Sequence, residues 1–406
     1  MRRISSFVIL LILILGSGFI PEARPVQADA TINDTPTMLV GSGVTTYTLA
    51  APKIFWNTGV PPCPPARDNS TDAQYTETLS RIATYGSTVR QLYAEGRNCG
   101  QQSIQSNLAS DGSFVYWLES GGLMKLSTDA NPGDAPQLVN SLVKAPGEVV
   151  DGGDRIYVIS NNYGGSSTEV AYVLKSNNQK VFLATPGNYA GNLSTDGTYV
   201  YYLVSGNLIR QNPGVDGGIT ISTGVSGYYA EGSRLVICNL TICFFSNNVY
   251  VGKGTQVFIY NNKTNTLGAS PIYTSPDSTA RVFDMVTDFG NLFVFENRAT
   301  DCSQLFCSYI GVLNRMGRGG GSVAPLYTSA PTVFTGPQNL TTDGTYLFWQ
   351  EGEAIQRLPN NASALPQVNM YVTGMEVTQG IQNLTNSVLL IKNKPTYVRV
   401  YVKSVS

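Results

Sequence analysis

Apolar runs of four or five residues recur along this chain, each opened by an Asp-Gly pair and closed by a turn into a second, shorter apolar segment. Leu108 to Leu126 reads LASDGSFVYWLESGGLMKL, Leu193 to Arg210 reads LSTDGTYVYYLVSGNLIR, and Leu340 to Leu358 reads LTTDGTYLFWQEGEAIQRL. Weaker copies lie at Val150–Val158, Ala230–Val236 and Thr287–Val294. Asp-Gly between apolar runs predicts a tight hairpin of type I′, in which both turn residues take positive φ. The runs Phe114–Leu118, Tyr199–Leu203 and Tyr346–Trp349 are continuously apolar rather than alternating. Such strands are buried on both faces, as when small sheets stack on one another.

Four-stranded antiparallel units at this repeat length predict an all-β fold, a β-propeller. First strands begin near Val44, Ser103, Gly147, Asn188, Gly227, Val282 and Thr335, at spacings of 59, 44, 41, 39, 55 and 53 residues. That counts about seven four-stranded blades, with six or eight possible because the first unit has Ala50-Ala-Pro52 in place of Asp-Gly. A sandwich or a β-helix is the alternative. The expected organisation is a signal peptide over 1–30, a lead-in over 31–43, the propeller over 44–366 and a separate segment over 367–406. In that last segment Val398, Val400 and Val402 alternate with Tyr397, Arg399, Tyr401 and Lys403. This pattern needs a covering sheet and reads as the start of an incomplete β-sandwich.

The first residues change the picture. Arg2 and Arg3 precede a mostly apolar stretch, Phe7 to Ile20, and Ala28-Asp-Ala30 supplies a cleavage signal. The stretch is too short to span a bilayer, so it reads as an export signal, with no later membrane span. The chain is then expected to be secreted, extracellular or at the cell surface, as a monomeric propeller. A formal net charge of −1 gives no field for nucleic acid. Six cysteines in an exported chain read as three disulfides. Cys238 with Cys243, Cys302 with Cys307 and Cys63 with Cys99 is the least contorted of the fifteen pairings that six cysteines allow. If Cys238 and Cys302 follow second strands, all three bridges fall on one propeller face, together with the long insertions.

The Asp-Gly units resemble the blades of secreted bacterial TolB-like propellers over roughly residues 44 to 365. The segments MEVTQGIQN and KPTYVRVYV look like the start of an immunoglobulin-like module of large exported proteins. The resemblance implies fold far more than function.

Chemistry is thin. With no histidine in the chain, Ser-His-Asp, Cys-His and H-E-x-x-H machinery is excluded. Paired carboxylates remain conceivable for Glu95, Glu296 and Asp301, against the commoner reading of solvated loop acids. Asp111, Asp196 and Asp343 could be imagined as calcium ligands, but turn chemistry explains them. Met316-Gly-Arg-Gly-Gly-Gly-Ser322 lacks the G-K-[S/T] ending of a phosphate loop, although Arg318 would serve as its cation. Trp117, Tyr202 and Trp349 read as core, whereas Tyr163, Phe244, Phe245 and Phe306 in long loops are the ligand candidates. The resulting expectation is a secreted, non-catalytic interaction module without metal or cofactor. Its ligand, a protein or a glycan, would be engaged on the disulfide-bearing face. The alternative is an accessory propeller of an exported modular hydrolase, such as a peptidase, with its catalytic domain beyond Ser406.

Overall fold

The structure is a computed structural model. It describes residues 36–59, 74–98, 104–161, 168–186, 189–215, 217–231, 235–238, 241–244, 248–301, 307–332, 336–360, 369–378 and 397–405. Residues 1–30, with the expected export signal, lie outside this set.

The described chain is all β and forms a ring of seven four-stranded antiparallel blades. Blade 1 comprises Val44–Ala50, Lys53–Thr58, Gln74–Ala83 and Arg90–Asn98; blades 2, 3 and 4 begin at Ala109–Ser110, Gly147–Asp151 and Ala190–Thr195. Blade 5 begins at Gly227–Ala230, blade 6 at Arg281–Thr287 and blade 7 at Gln338–Thr342. First strands of neighbouring blades touch and so surround the axis. Their crowding is visible at Gly227, where a Cβ would lie 2.2 Å from the Phe283 carbonyl oxygen of the next blade.

The ring closes through long-range pairing. Thr37–Val40, within the expected lead-in, is the outer strand of blade 7, with Thr37 opposite Arg357 and Val40 opposite Ile355. Burial follows the same geometry. Seven apolar clusters sit one at each seam between blades, and the closing seam joins Val44, Tyr47 and Trp56 to Phe348 and Ile355. Second strands supply the middle of every blade, so both of their faces are covered: Lys53–Thr58, Phe114–Glu119, Asn248–Lys253 and Tyr346–Glu351 each bury four consecutive residues. Trp117 and Trp349 are fully buried and Tyr202 nearly so, as core residues.

The Asp-Gly hairpins differ from expectation in their turn. Only the glycines, Gly112, Gly197 and Gly344, carry positive φ (88°, 85° and 90°), and the aspartates do not. The reason is the carboxylate. Asp111 Oδ1 accepts the N–H groups of Ser113 and Phe114 at 2.9 and 2.8 Å, and Asp196 and Asp343 repeat this with their own second and third followers. The side chain takes the turn hydrogen bonds and spares the Asp backbone a left-handed conformation.

Beyond the ring, Asn369–Thr378 pairs antiparallel with Tyr397–Val405 in a two-stranded sheet, with Val377 opposite Val398.

Candidate functional site

Because strands alternate in direction, the ring has two unlike faces. The turn face carries the first-to-second and third-to-fourth connections; the loop face carries the second-to-third and blade-to-blade connections.

On the turn face the repeated aspartates are consumed by the protein. Asp111 Oδ2 accepts from Tyr116 Oη and from Lys175 Nζ of blade 3, both at 2.8 Å. Asp196 is 1% exposed, and its Oδ2 accepts from Tyr201 Oη at 2.7 Å and from Asn262 Nδ2 of blade 5 at 3.0 Å. Lys175 and the turn N–H groups hold the Asp111 carboxyl below the usual range against the opposing effect of burial. No metal-holding cluster of acids or cysteines occurs among the described residues.

A second device on this face was not anticipated from sequence. Third strands carry a cation opposite a second-strand aromatic: Arg81 opposite Phe55, Lys125 opposite Tyr116, Arg210 opposite Tyr201, Arg315 opposite Phe293 and Arg357 opposite Phe348. Four of these reach the residue just past the third strand of the next blade. Arg81 donates to Thr128 O, Arg210 to Asn262 Oδ1 at 3.0 Å, Arg315 to Asn360 O at 3.3 Å and Arg357 to Thr84 O at 2.9 Å. Lys125, Arg210 and Arg357 also lie over Phe114, Tyr199 and Tyr346 at 4.4 to 4.7 Å from the ring centres. These latches tie blade to blade, and their signal was a Lys or Arg at one repeat position.

The axis is polar. Glu148 of blade 3 accepts the N–H groups of Asn192 and Leu193 in blade 4, at 3.0 and 2.6 Å. Tyr228 of blade 5 donates its hydroxyl to Asn192 O. The same clasp recurs around the ring: Asp284 of blade 6 accepts from Leu340 N–H of blade 7 at 2.7 Å, and Tyr47 of blade 1 donates to Asn339 O. Asn192 and Asn339 both sit at positive φ, 55° and 60°, in the matching strings NLSTDGTY and NLTTDGTY. Burial raises the carboxyls of Glu148 and Asp284 despite the N–H groups that each accepts, and Asp284 is pushed up to about 7. The hydroxyls of Tyr47 and Tyr228 are raised too, by burial and by Asp284 and Glu148 respectively.

The candidate acids Glu296 and Glu95 are committed within the fold. Glu296 is fully buried, paired with Arg298 and hydrogen-bonded by Tyr273 at 2.9 Å. Glu95 accepts from Tyr93 and lies opposite Glu77; Asp301 ends its strand opposite Ser308. Arg318, of the glycine-rich run, is paired with Glu231 and is no free phosphate cation.

Tyr163 and Phe306 fall in the sequence between the second and third strands of blades 3 and 6 and lie outside the described residues. Cys63 and Cys99 also lie outside them, in the second-to-third connection of blade 1 and the connection that follows it. Cys302 does too, while Cys307 is disulfide-bonded. The expectation for Cys238 and Cys243 is corrected. The apolar run that imitates a second strand is an inserted hairpin, Leu235–Cys238 with Thr241–Phe244, and the true second strand of blade 5 is Asn248–Lys253, paired with Gly227–Ala230. In that hairpin Cys238 is opposite Thr241 and Cys243 opposite Val236. The insertion joins a first strand to a second, so Cys238, Cys243 and Phe244 belong to a turn-face connection, while Phe245 lies outside the described residues.

No family model and no curated protein sequence matches the chain. Solved structures match in fold. The extracellular domain of a hybrid two-component system from B. thetaiotaomicron aligns at TM-score 0.50 and 12% identity, over 79% of this chain and 39% of that one. The oligogalacturonate lyase of Vibrio parahaemolyticus aligns at 0.47 and 11%, over 80% and 91%. The propeller domain of the Trilobed protease from Pyrococcus furiosus aligns at 0.45 and 9%, over 78% and 97%. The chain spans about two fifths of the length of the sensor it matches. At these identities the likeness is one of fold, the β-propeller.

Proposed function

We propose that this protein is a secreted, non-catalytic binding module whose ligand, a protein or a glycan, is engaged on the loop face around the axis. The observation that carries the reading is the contrast between the faces. On the turn face the acids and most cations of the repeat are spent on turns and latches. The second-to-third connections of blades 1, 3 and 6 belong to the loop face by strand order, Tyr163 and Phe306 fall within two of them in the sequence, and the axis carries two acid–asparagine–tyrosine clasps. Large loops held on a rigid ring are where binding residues concentrate. A chain without histidine, with Glu296 in an ion pair, supports recognition rather than turnover.

The test is an array of glycans and peptides probed with the purified protein, followed by product analysis on every ligand found. Binding lost in Tyr163→Ala or Phe306→Ala, with ligands recovered intact, agrees with the proposal. Ligand cleavage, or binding of an uncharged ligand abolished only by turn-face substitutions, contradicts it.

A further inference from the structure

We infer a second, separate site on the turn face, at the seam of blades 1 and 2, that takes an oxyanion such as the sulfate or carboxylate of an acidic glycan. Three cations of blade 1 converge there on one short loop of blade 2. Lys53 Nζ donates to Thr128 O at 3.3 Å and pairs with Asp129; Arg81 donates to Thr128 O; Arg90 donates to Asn131 Oδ1 at 3.1 Å. Only two acids lie in that loop. Asp129 is taken by Lys53, and Asp134 turns back to accept the Asn131 N–H at 2.7 Å. Both guanidiniums are thus left on neutral acceptors among the described residues.

They also face one another. Arg81 and Arg90 are directly opposite across the third and fourth strands of blade 1, a like-charge pair that ordinarily destabilises a sheet. Burial and the charge of Arg90 hold the Arg81 guanidinium below its usual range, against the smaller opposing effect of Asp129. The other latches show what the ring alone requires, since one arginine each, Arg210, Arg315 or Arg357, suffices there. Lys53 and Arg90 exceed that requirement, and Arg90 is exposed. Two forked guanidiniums beside an ammonium suit an oxyanion that would sit between them and relieve their repulsion.

The same loop borders an open cleft of about 280 Å³, lined by Phe114, Lys125, Ala130, Asp134 and Gln137 among others. An aromatic edge with mixed polar groups suits a sugar ring, and the cleft shares this loop with the cation group. The source of the oxyanion is either a free inorganic anion or a group borne by a glycan.

The experiment uses the full chain, with sodium sulfate and sulfated dextran as probes and neutral dextran as the control. Binding is read by calorimetry at fixed ionic strength in wild type, in Lys53→Gln/Arg90→Gln and in Arg357→Gln. Sulfated but not neutral dextran should bind wild type, and the double variant should bind at least tenfold more weakly. Arg357→Gln should lose thermal stability yet keep the wild-type affinity. Sulfate binding without dextran binding, still lost in the double variant, assigns the same site to a free anion. Equal affinity in wild type and a folded double variant, or no binding of either probe to wild type, overturns the inference.

Discussion

The two faces of this ring are built from the same repeat, yet they answer to different pressures. On the turn face every recurring group has a recurring partner: the aspartate caps its turn, and the third-strand arginine latches the next blade. On the loop face the connections differ in length from blade to blade, as the one insertion of blade 5 does on the turn face, and the acid–asparagine–tyrosine clasp at the axis is seen twice among the described residues. Repetition marks what holds the propeller together. Departure from it marks what the ring can recognise.

Breaking the turn face should produce the largest change. Asp196 holds two turn N–H groups, Tyr201 and Asn262 while 1% exposed. Asp196→Ala leaves several buried partners unpaired and should cost about 3 kcal/mol. Chemical denaturation should show that loss. A change under 1 kcal/mol would mean that the repeated aspartate is decoration.

The axis should show an inverted pH response. Asp284 in the folded chain keeps its proton up to about pH 7, whereas the unfolded chain releases it near 4. The stability conferred by that proton is complete below about pH 4 and is lost as pH rises through 7. Wild type should therefore lose about 2 kcal/mol between pH 5 and 8, a value discounted for the water that reaches this half-buried group. Glu148 shifts in the same direction. Asp284→Asn should flatten part of the slope and Asp284→Asn/Glu148→Gln most of it. A wild-type melting temperature that climbs over this range contradicts the assignment.

A latch is a smaller matter. Arg357→Gln removes the bond to Thr84 O and the contact over Tyr346, and should cost about 1 kcal/mol. The smallest stability effect is expected on the loop face, where Phe306→Ala should leave the melting temperature within about a degree.

How much of this was legible in the sequence follows the same division. Blade starts, buried second strands and turn aspartates could be read because each is local and repeated. The closing strand Thr37–Val40 could not, because four unremarkable residues acquire meaning only from pairing some 320 positions away. The hairpin around Cys238 and Cys243 misled, because LVICNLTICFF has the composition of a second strand, and only the pairing of Gly227–Ala230 with Asn248–Lys253 shows it to be an insertion. Phe244, expected after a second strand, lies instead between a first strand and a second. The third-strand cations were available as a repeat and were overlooked, since a lone Lys or Arg on a strand reads as a solvated residue. The axial clasps join residues of three different blades, and their local trace, an Asn ahead of Leu193 and Leu340, names neither the acid nor the tyrosine that it meets.

The most direct test of the division between faces pairs two variants against one ligand from the array. Arg357→Gln should lower the melting temperature and leave the Kd unchanged, while Phe306→Ala should leave the melting temperature unchanged and raise the Kd at least tenfold. The reverse pattern, with Arg357→Gln abolishing binding and Phe306→Ala silent in both measurements, would place recognition on the turn face and contradict this account.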